Sequence, residues 1–522
     1  MIVGFFTLVS ILTGLVRDRL FASTFGAGDI LDSYYAAFRV PDFVFNLLIL
    51  GTLSVAFIPV FAELLVLDKE KANRTANTIL NSTILLIGSV CFVLFLFVEP
   101  LTKLLVPGFE GNKLADTVNL TRLFLLSPVI FTVSNVFTSI LNAQKKFLIV
   151  GLAPVLYNIG IIGGLLFLYP RFGIMGLGYG VIIGACLHLL VQVPEILHSG
   201  FRWQAVLDYK DLAFQKMTKL FVPKIFGLDN SQISLLIGSV IGSFLASGSI
   251  AILNLANNLQ AVPIGIFAIS ISVASFPALS EAFAKKDDQG FLDTLSKSLA
   301  QILFFIIPIS VLILLLRAHI VRLVYGAGEF SWEDTTLTFQ TLGIFTISLF
   351  SQSVSPLLSR SFYSRHNTVI PVIINSFTML LNACLAYFFG KAYGVVGIAA
   401  GFSLASIFNV IVLFITLHYF LHSRLEKQSL REFDLNLFAQ VGKIAFAALA
   451  AGFAAYGALY AIEPLVNTRT VLGLLIQAGI SGSVGVIIYI MASISLGLKQ
   501  ALALPFVQRL YLYLHVNYFK RR

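Results

Sequence analysis

The chain reads as an all-α polytopic membrane protein of about fourteen transmembrane helices. Two six-helix lobes are related by an internal parallel repeat, and two further helices follow at the C-terminal end. Three observations carry this reading. Of the 522 residues, 58% are hydrophobic and only 11% are charged, too few charges to cover a water-soluble fold of that length. Apolar stretches of about twenty residues recur from end to end, each long enough as a helix to cross a hydrocarbon core of about 30 Å and too long for barrel strands. Three segments also recur in the same order about 220 residues apart. SVAFIPVFAELL (54–65) returns as SVASFPALSEAF (272–283), PVLYN (154–158) as PVIIN (371–375), and FGIMGLGYG (172–180) as YGVVGIAAG (393–401). Each copy covers an even number of spans, so both copies run the same way through the membrane.

Taken in order, the first lobe (residues 1–200) holds spans at 2–23, 33–62, 76–98, 117–142, 147–169 and 173–196. The second lobe (201–432) holds spans at 217–245, 249–279, 291–315, 335–359, 367–389 and 394–420. A C-terminal region (433–497) holds spans at 439–462 and 470–496, and residues 498–522 form a basic, aromatic tail suited to a membrane interface. The first apolar segment runs into RDR and FGAG without a small-residue cleavage pattern, so it reads as a retained helix. FGAG (25–28) predicts a tight turn, with Asp29 and Asp32 as caps for the second span. Pro41 and Pro263 predict kinks or unwound turns.

Cys91, Cys186 and Cys384 fall in apolar segments without C-x-x-C spacing and read as packing residues. The net charge of +10 comes from basic residues spread over many short loops, a pattern of membrane topology and not of nucleic-acid binding. Their bias toward alternate loops places both termini in the cytoplasm. The histidines form no metal-ligand pair, no G-x-x-x-x-G-K-[ST] is present, and no nucleophilic triad is legible. The expectation is transport without a catalytic residue, a metal or a cofactor.

Residues 14–63 carry Arg17, Asp18, Arg19, Asp32, Arg39 and Asp42 in an otherwise apolar hairpin. A charge near the bilayer centre costs about 2.5–3.5 kcal/mol on insertion scales, so these residues read as the lining of a polar pathway. Arg17 lies about 24 Å along the first helix and Arg39 about 9 Å into the second. Arg17 and Asp18 are neighbours in sequence and are expected on different helix faces, Asp18 toward an adjoining helix. In the competing reading, Arg17 and Arg19 reach out to headgroups and Asp18 neutralises them. VPKIFGLDNSQIS (222–234) opens the second lobe; its Lys224 is an anion ligand at the inner mouth or a partner for Asp229.

Ser10, Gly14, Arg17 and Asp18 form S-x-x-x-G-x-x-R-D. With FGAG, Asp32, AFRVP (37–41), SVAFIPVFAE (54–63), SQIS (231–234), SFLASGS (243–249), YGAGEF (325–330) and SFYSRHNT (361–368), this series resembles the MurJ/MviN lipid II flippases of the multidrug/oligosaccharidyl-lipid/polysaccharide exporter superfamily. The resemblance spans essentially the whole chain. It implies alternating access by two lobes in the bacterial cytoplasmic membrane, carrying the undecaprenyl-diphosphate-linked peptidoglycan precursor to the outer leaflet for cell-wall growth. Its implied partners are lipid II, membrane lipids and cell-wall synthases. Arg17 matches the family's first-helix cavity arginine, Asp18 and Asp32 match acids the family carries, and the last two helices match those forming a groove for the lipid tail. The chain begins several residues late relative to this pattern. It departs from it at Phe45 and Asn258, where arginines are usual, at Leu50, where a glutamate is usual, and at Ile11, where a basic residue is usual. The cavity set is then Arg17, Asp18, Asp32, Arg39, Lys224 and Asn258. Alternatives are a flippase for another polyprenyl-linked glycan of the O-antigen or capsule type, a cation-coupled exporter of the same superfamily, or a non-transporting scaffold of the cell-wall machinery.

Overall fold

The computed structural model describes residues 2–46, 53–216, 218, 230–422, 427–504 and 507, and no strand occurs among them. The helices are α1 (Ile2–Phe25), α2 (Asp29–Ala37), α3 (Arg39–Phe45), α4 (Leu53–Leu67), α5 (Lys69–Leu96), α6 (Val98–Leu105), α7 (Gly111–Phe124), α8 (Leu126–Ala143), α9 (Phe147–Gly163), α10 (Tyr169–Phe172), α11 (Ile174–Leu190) and α12 (Val193–His198). After residues outside the described set come α13 (Asn230–Gly242), α14 (Ser249–Pro263), α15 (Ser270–Ala284), α16 (Asp288–Val324), α17 (Trp332–Ile347), α18 (Leu349–Tyr363), α19 (Val369–His422), α20 (Lys427–Ile462), α21 (Val471–Ser495) and α22 (Lys499–Leu502). Asp68 starts α5 by accepting the backbone N–H groups of Glu70 and Lys71, both at 3.0 Å, which satisfies donors left open by the helix start.

Among the described residues nine helices are long and apolar enough to cross a membrane, or ten when α17 and α18, bent by 45°, count as one span. The protein is an integral membrane protein. The difference from fourteen has local causes. The span expected at 33–62 is divided: α2 ends at Ala37, Phe38 separates it from α3, and α4 begins at Leu53. Pro41 sits just past that break. Val369–His422 (α19) counts once in that tally but is two helices that meet at a kink at Gly394, φ 61° and ψ −144°, so the segments expected at 367–389 and 394–420 are each helical. Pro263 ends α14 and is followed by a π-helical stretch, Ile264–Ile269, before α15. Proline lacks the N–H that an α turn would use, and a wider turn is one way around it. The anticipated kinks at Pro41 and Pro263 are therefore present.

The chain forms two compact units. The first comprises Met1–Asn254, Val324–Asp334 and Gly390–Ile398; the second comprises Leu255–Leu323, Thr335–Phe389 and Ala399–Arg522. The first unit has one apolar core around Phe57, Ile79, Val136 and Ile140, and another around Phe21, Leu31, Phe124 and Leu177. The second is built around Leu295, Leu299, Leu357 and Phe362, with a further cluster where Phe304 meets Ala447 and Tyr489.

Each unit also contains a polar seam between two helices. In the first, Ser134 of α8 bonds His188 of α11 at 2.6 Å, Thr138 donates to Gln192 at 3.0 Å, and Gln192 donates back to Ser134 at 2.7 Å. In the second, Ser348 and Ser351 at the start of α18 meet Ser403 and Ser406 of α19 at 3.0 and 2.9 Å, and Ser355 donates to Asn409 at 2.9 Å. The pairs Ser134–His188 and Ser351–Ser406, and Thr138–Gln192 and Ser355–Asn409, are separated by about 217 residues, the spacing of the sequence repeat. Between apolar helices, mutually bonded hydroxyls and amides avoid the cost of unsatisfied polar groups in hydrocarbon.

Candidate functional site

Arg17 points from α1 toward α9. Its Nε and Nη2 donate to Asp18 Oδ1 at 3.0 and 2.7 Å, and its Nη1 donates to Asn158 Oδ1 at 3.0 Å. The Asn158 amide nitrogen donates to the carbonyls of Ser10 and Pro154, both at 3.3 Å, which turns its oxygen to the guanidinium. Arg17 and Asp18 leave the helix on different faces, and their contact is made by side-chain reach. The long arginine arm curls back to its neighbour, although their Cβ directions diverge by about 100°. Asp18 is buried, while the Arg17 side chain keeps 23% of its surface open. Three of its five N–H donors are taken, which leaves two for another acceptor. Arg19 does not join this group; its Nη1 donates to the Val324 carbonyl at 3.3 Å.

Arg39, at the start of α3, is buried at 6% exposure. Its Nε donates to Ser239 and its Nη2 to Asn254, both at 2.7 Å. These neutral acceptors hold it as a brace between α3 and the segment containing α13 and the start of α14. Asp42, one turn on, feels the charge of both Arg39 and Arg17.

Asp32 is 1% exposed. One carboxylate oxygen accepts the Gly248 N–H at 2.8 Å and the other the Ala251 N–H at 2.9 Å, so it caps the first turn of α14 from outside. Lys113 supplies the countercharge at 2.8 Å, reaches Asp29 at 2.6 Å, and lies 4.2 Å over the Phe109 ring. Asp29 also accepts the Ser247 hydroxyl at 2.6 Å. Asp29 and Asp32 were expected to cap their own helix; the residue at the N-cap of α2 is Gly28, with no side-chain cap bond, and both acids reach residues 247–251 instead. A carboxylate facing two open N–H groups and an ammonium gains more than one closing its own turn.

Three turns far apart in sequence meet here. FGAG (25–28), residues 247–249 and YGAGEF (325–330) pack backbone to backbone, with the Glu329 N–H donating to the Ser23 carbonyl at 2.9 Å and the Ala27 N–H to Asp334 at 3.2 Å. Gly248 (φ 87°) and Gly328 (φ 60°) make this contact possible, since a Cβ on either would run into the carbonyl of Ala27 or Ser23.

A family model for "Lipid II flippase MurJ" matches residues 21–475. The chain belongs to the MurJ family. It is 30% identical over 429 residues to a probable lipid II flippase MurJ of Vibrio cholerae, covering 80% of this chain and 82% of that protein. A probable lipid II flippase MurJ of Buchnera aphidicola subsp. Schizaphis graminum is 27% identical, with 95% of this chain and 96% of that one covered. Among solved structures, the chain is similar to lipid II flippase MurJ in an inward closed conformation, with a TM-score of 0.74, 27% identity, and coverage of 94% of this chain and 97% of that one. An inward-facing multidrug resistance MATE family transporter of the MOP superfamily shares the fold, with a TM-score of 0.65 at 16% identity, over 79% of this chain and 95% of that one.

Phe45 has aromatic neighbours, and Asn258 lies near amides. Phe45 stands 5.3 Å, ring to ring, from Phe131, which in turn meets Tyr157 at 5.2 Å and His188 at 5.3 Å. These rings form an aromatic row. Asn258 is half-buried on α14 in the second unit, near Gln260, whose oxygen accepts from Gln352 at 3.0 Å. Arg17, Asp18, Asp32 and Arg39 belong to the first unit. Lys224, Asp229 and Leu50 lie outside the described residues. Sequence reasoning missed Lys113, which it counted only as a loop charge, and Asn158, whose place in the repeated PVLYN motif was the available signal.

Proposed function

We propose that this chain translocates lipid II, the undecaprenyl-diphosphate-linked peptidoglycan precursor, from the inner to the outer leaflet of the bacterial cytoplasmic membrane. The observation that carries the proposal is Arg17: a guanidinium fixed by Asp18 and Asn158, with two donors and 23% of its side-chain surface open, in a chain of the MurJ family. A planar guanidinium suits a diphosphate, which accepts paired N–H bonds. Asp18 keeps it charged and oriented in an apolar surrounding. Asp32 and Arg39 support the pathway as fixed braces, and Lys224 and Asn258 complete the polar set from the second lobe (201–432). The helices at 433–497 hold the polyprenyl tail. The two lobes exchange access between the leaflets without a covalent step, with both termini in the cytoplasm and cell-wall synthases receiving the cargo.

The test is complementation in a bacterium whose own lipid II flippase can be switched off, with growth and outer-leaflet lipid II as readouts. Rescue by the native chain and none by Arg17→Ala, at equal membrane abundance, is the expected result; normal rescue by Arg17→Ala would remove Arg17 from the account. A second reading, another polyprenyl-linked glycan as cargo, draws on the aromatic row at Phe45. It predicts failure of lipid II complementation together with direct binding of that other lipid.

A further inference from the structure

A cavity of about 1000 Å³ lies in the second unit, where α16 and α20 begin and α21 ends. Three lysines line it, one from each element: Lys297 on α16, Lys443 on α20 and Lys499 at the start of α22. None of them forms an ion pair among the described residues, and Asp293 is the acid in the lining. The Lys443 ammonium donates to the Leu496 carbonyl at 3.0 Å, which fixes its stem and leaves two N–H donors. The lining also includes the amides Gln301, Gln440 and Gln500 and the apolar Phe305 and Leu504. Gln500 donates to Gln440 at 3.0 Å. Its own Oε1 is buried with no hydrogen-bond partner among the described residues, an acceptor waiting for a donor.

We propose that this cavity binds the phosphate-bearing headgroup of an anionic glycerophospholipid that carries free hydroxyls. The site goes beyond the cargo pathway and does not depend on it. Its depth fits a headgroup. On α16 the uninterrupted apolar run begins at Ile302, directly after Gln301, so Lys297 sits about 8 Å outside it along the axis, at headgroup level. Basic pockets between transmembrane helices at the membrane surface are suited to such headgroups. Phosphate oxygens satisfy the three ammonium groups, a glycerol hydroxyl satisfies Gln500 Oε1, and the Phe305 and Leu504 end receives the start of an acyl chain. The chain's own residues 508–522 are a poor occupant, because they carry Arg509, Lys520, Arg521 and Arg522 and no acid.

The test uses the full chain, purified in a neutral detergent and titrated with phosphatidylglycerol, phosphatidic acid or phosphatidylcholine, bound lipid being counted by native mass spectrometry. Phosphatidylglycerol retained over phosphatidylcholine, and about tenfold weaker binding after Lys297→Gln, Lys443→Gln and Lys499→Gln together, are the expected results. Gln500→Leu keeps every charge; it is expected to weaken phosphatidylglycerol about threefold and leave phosphatidic acid unchanged, since that headgroup lacks the glycerol hydroxyls. Lipid binding indifferent to both sets of substitutions overturns the site. Displacement by millimolar inorganic phosphate as effective as by the lipid overturns the lipid assignment and leaves an anion site.

Discussion

The two asparagines of the repeated motif, Asn158 in PVLYN and Asn375 in PVIIN, stand at the same place in the repeat and have different partners. Asn158 accepts from Arg17. Asn375 accepts from Asn409, which also donates to Thr378 at 3.0 Å and receives the Ser355 hydroxyl. In the second unit the asparagine closes a network of neutral groups that ties α18 and α19 together. In the first unit the neighbouring seam is closed by Gln192 and His188 alone, and Asn158 is released to position a cation. The repeat presents the same acceptor twice, toward a cation in one unit and toward a neutral amide in the other.

The comparison can be broken by substitution. Arg17→Ala is expected to have the largest effect, costing roughly 2–5 kcal/mol of cargo binding, because it removes the cation that meets the diphosphate away from bulk water; lipid II binding to purified protein measures it. Arg17→Lys keeps the charge, loses the two-point grip on Asp18, and is expected to fall between. Asn409→Leu removes three hydrogen bonds of the neutral network. At about 0.6 kcal/mol per bond in a membrane interior it should cost about 2 kcal/mol in thermal unfolding, with transport per folded molecule unchanged. Asn158→Leu removes three hydrogen bonds and should cost about 2 kcal/mol of stability, Asn375→Leu removes one and should cost about 1 kcal/mol or less, and only the first should slow transport per folded molecule. Equal transport by those two would dissolve the distinction between the copies.

The smallest effect concerns Asp29. Hydrogen bonds from Lys113 and from Ser247 hold its carboxyl below the ordinary carboxylate range. A depressed native value stabilises the fold above the unfolded pKa of about 3.9 and is lost as pH falls through the native one. Acidification below about pH 4 should therefore lower the unfolding temperature of the native chain slightly more than that of Asp29→Asn, and an equal fall in both would show that the bonds contribute nothing.

Much of this molecule was legible in its sequence. Apolar run length gave the helices, PVLYN and PVIIN gave the repeat, Pro41 and Pro263 marked real irregularities, and Arg17 stood out because charge is costly in an apolar segment. What was not legible depends on side-chain reach and on partners distant in the chain. Asp32 looked like a cap for its own helix, because nothing local reveals that residues 248–251 present open N–H groups beside it. Arg39 stood out by its charge, but its bonds to Ser239 and Asn254, some 200 residues away, have no local signal. The serine seam had a faint signal, Ser348, Ser351 and Ser355 at helical spacing on one face, but serine in an apolar helix is too common to single out without its partner. The boundary inside α19 was legible as well: Gly394, at φ 61° and ψ −144°, separates two helices where the segments 367–389 and 394–420 were expected to part.

The stretch Ile264–Ile269 has a consequence of register. A π turn holds one residue more than an α turn, so every side chain from Ser270 onward is rotated by about 100° from where an unbroken helix would set it. Leu279 and Ala282, in the apolar core, lie on the helix after that stretch. No substitution within the stretch undoes the rotation. Removing a single residue does, swinging the buried face of α15 away from its neighbours, so along this part of the chain a deletion is a graver change than any replacement.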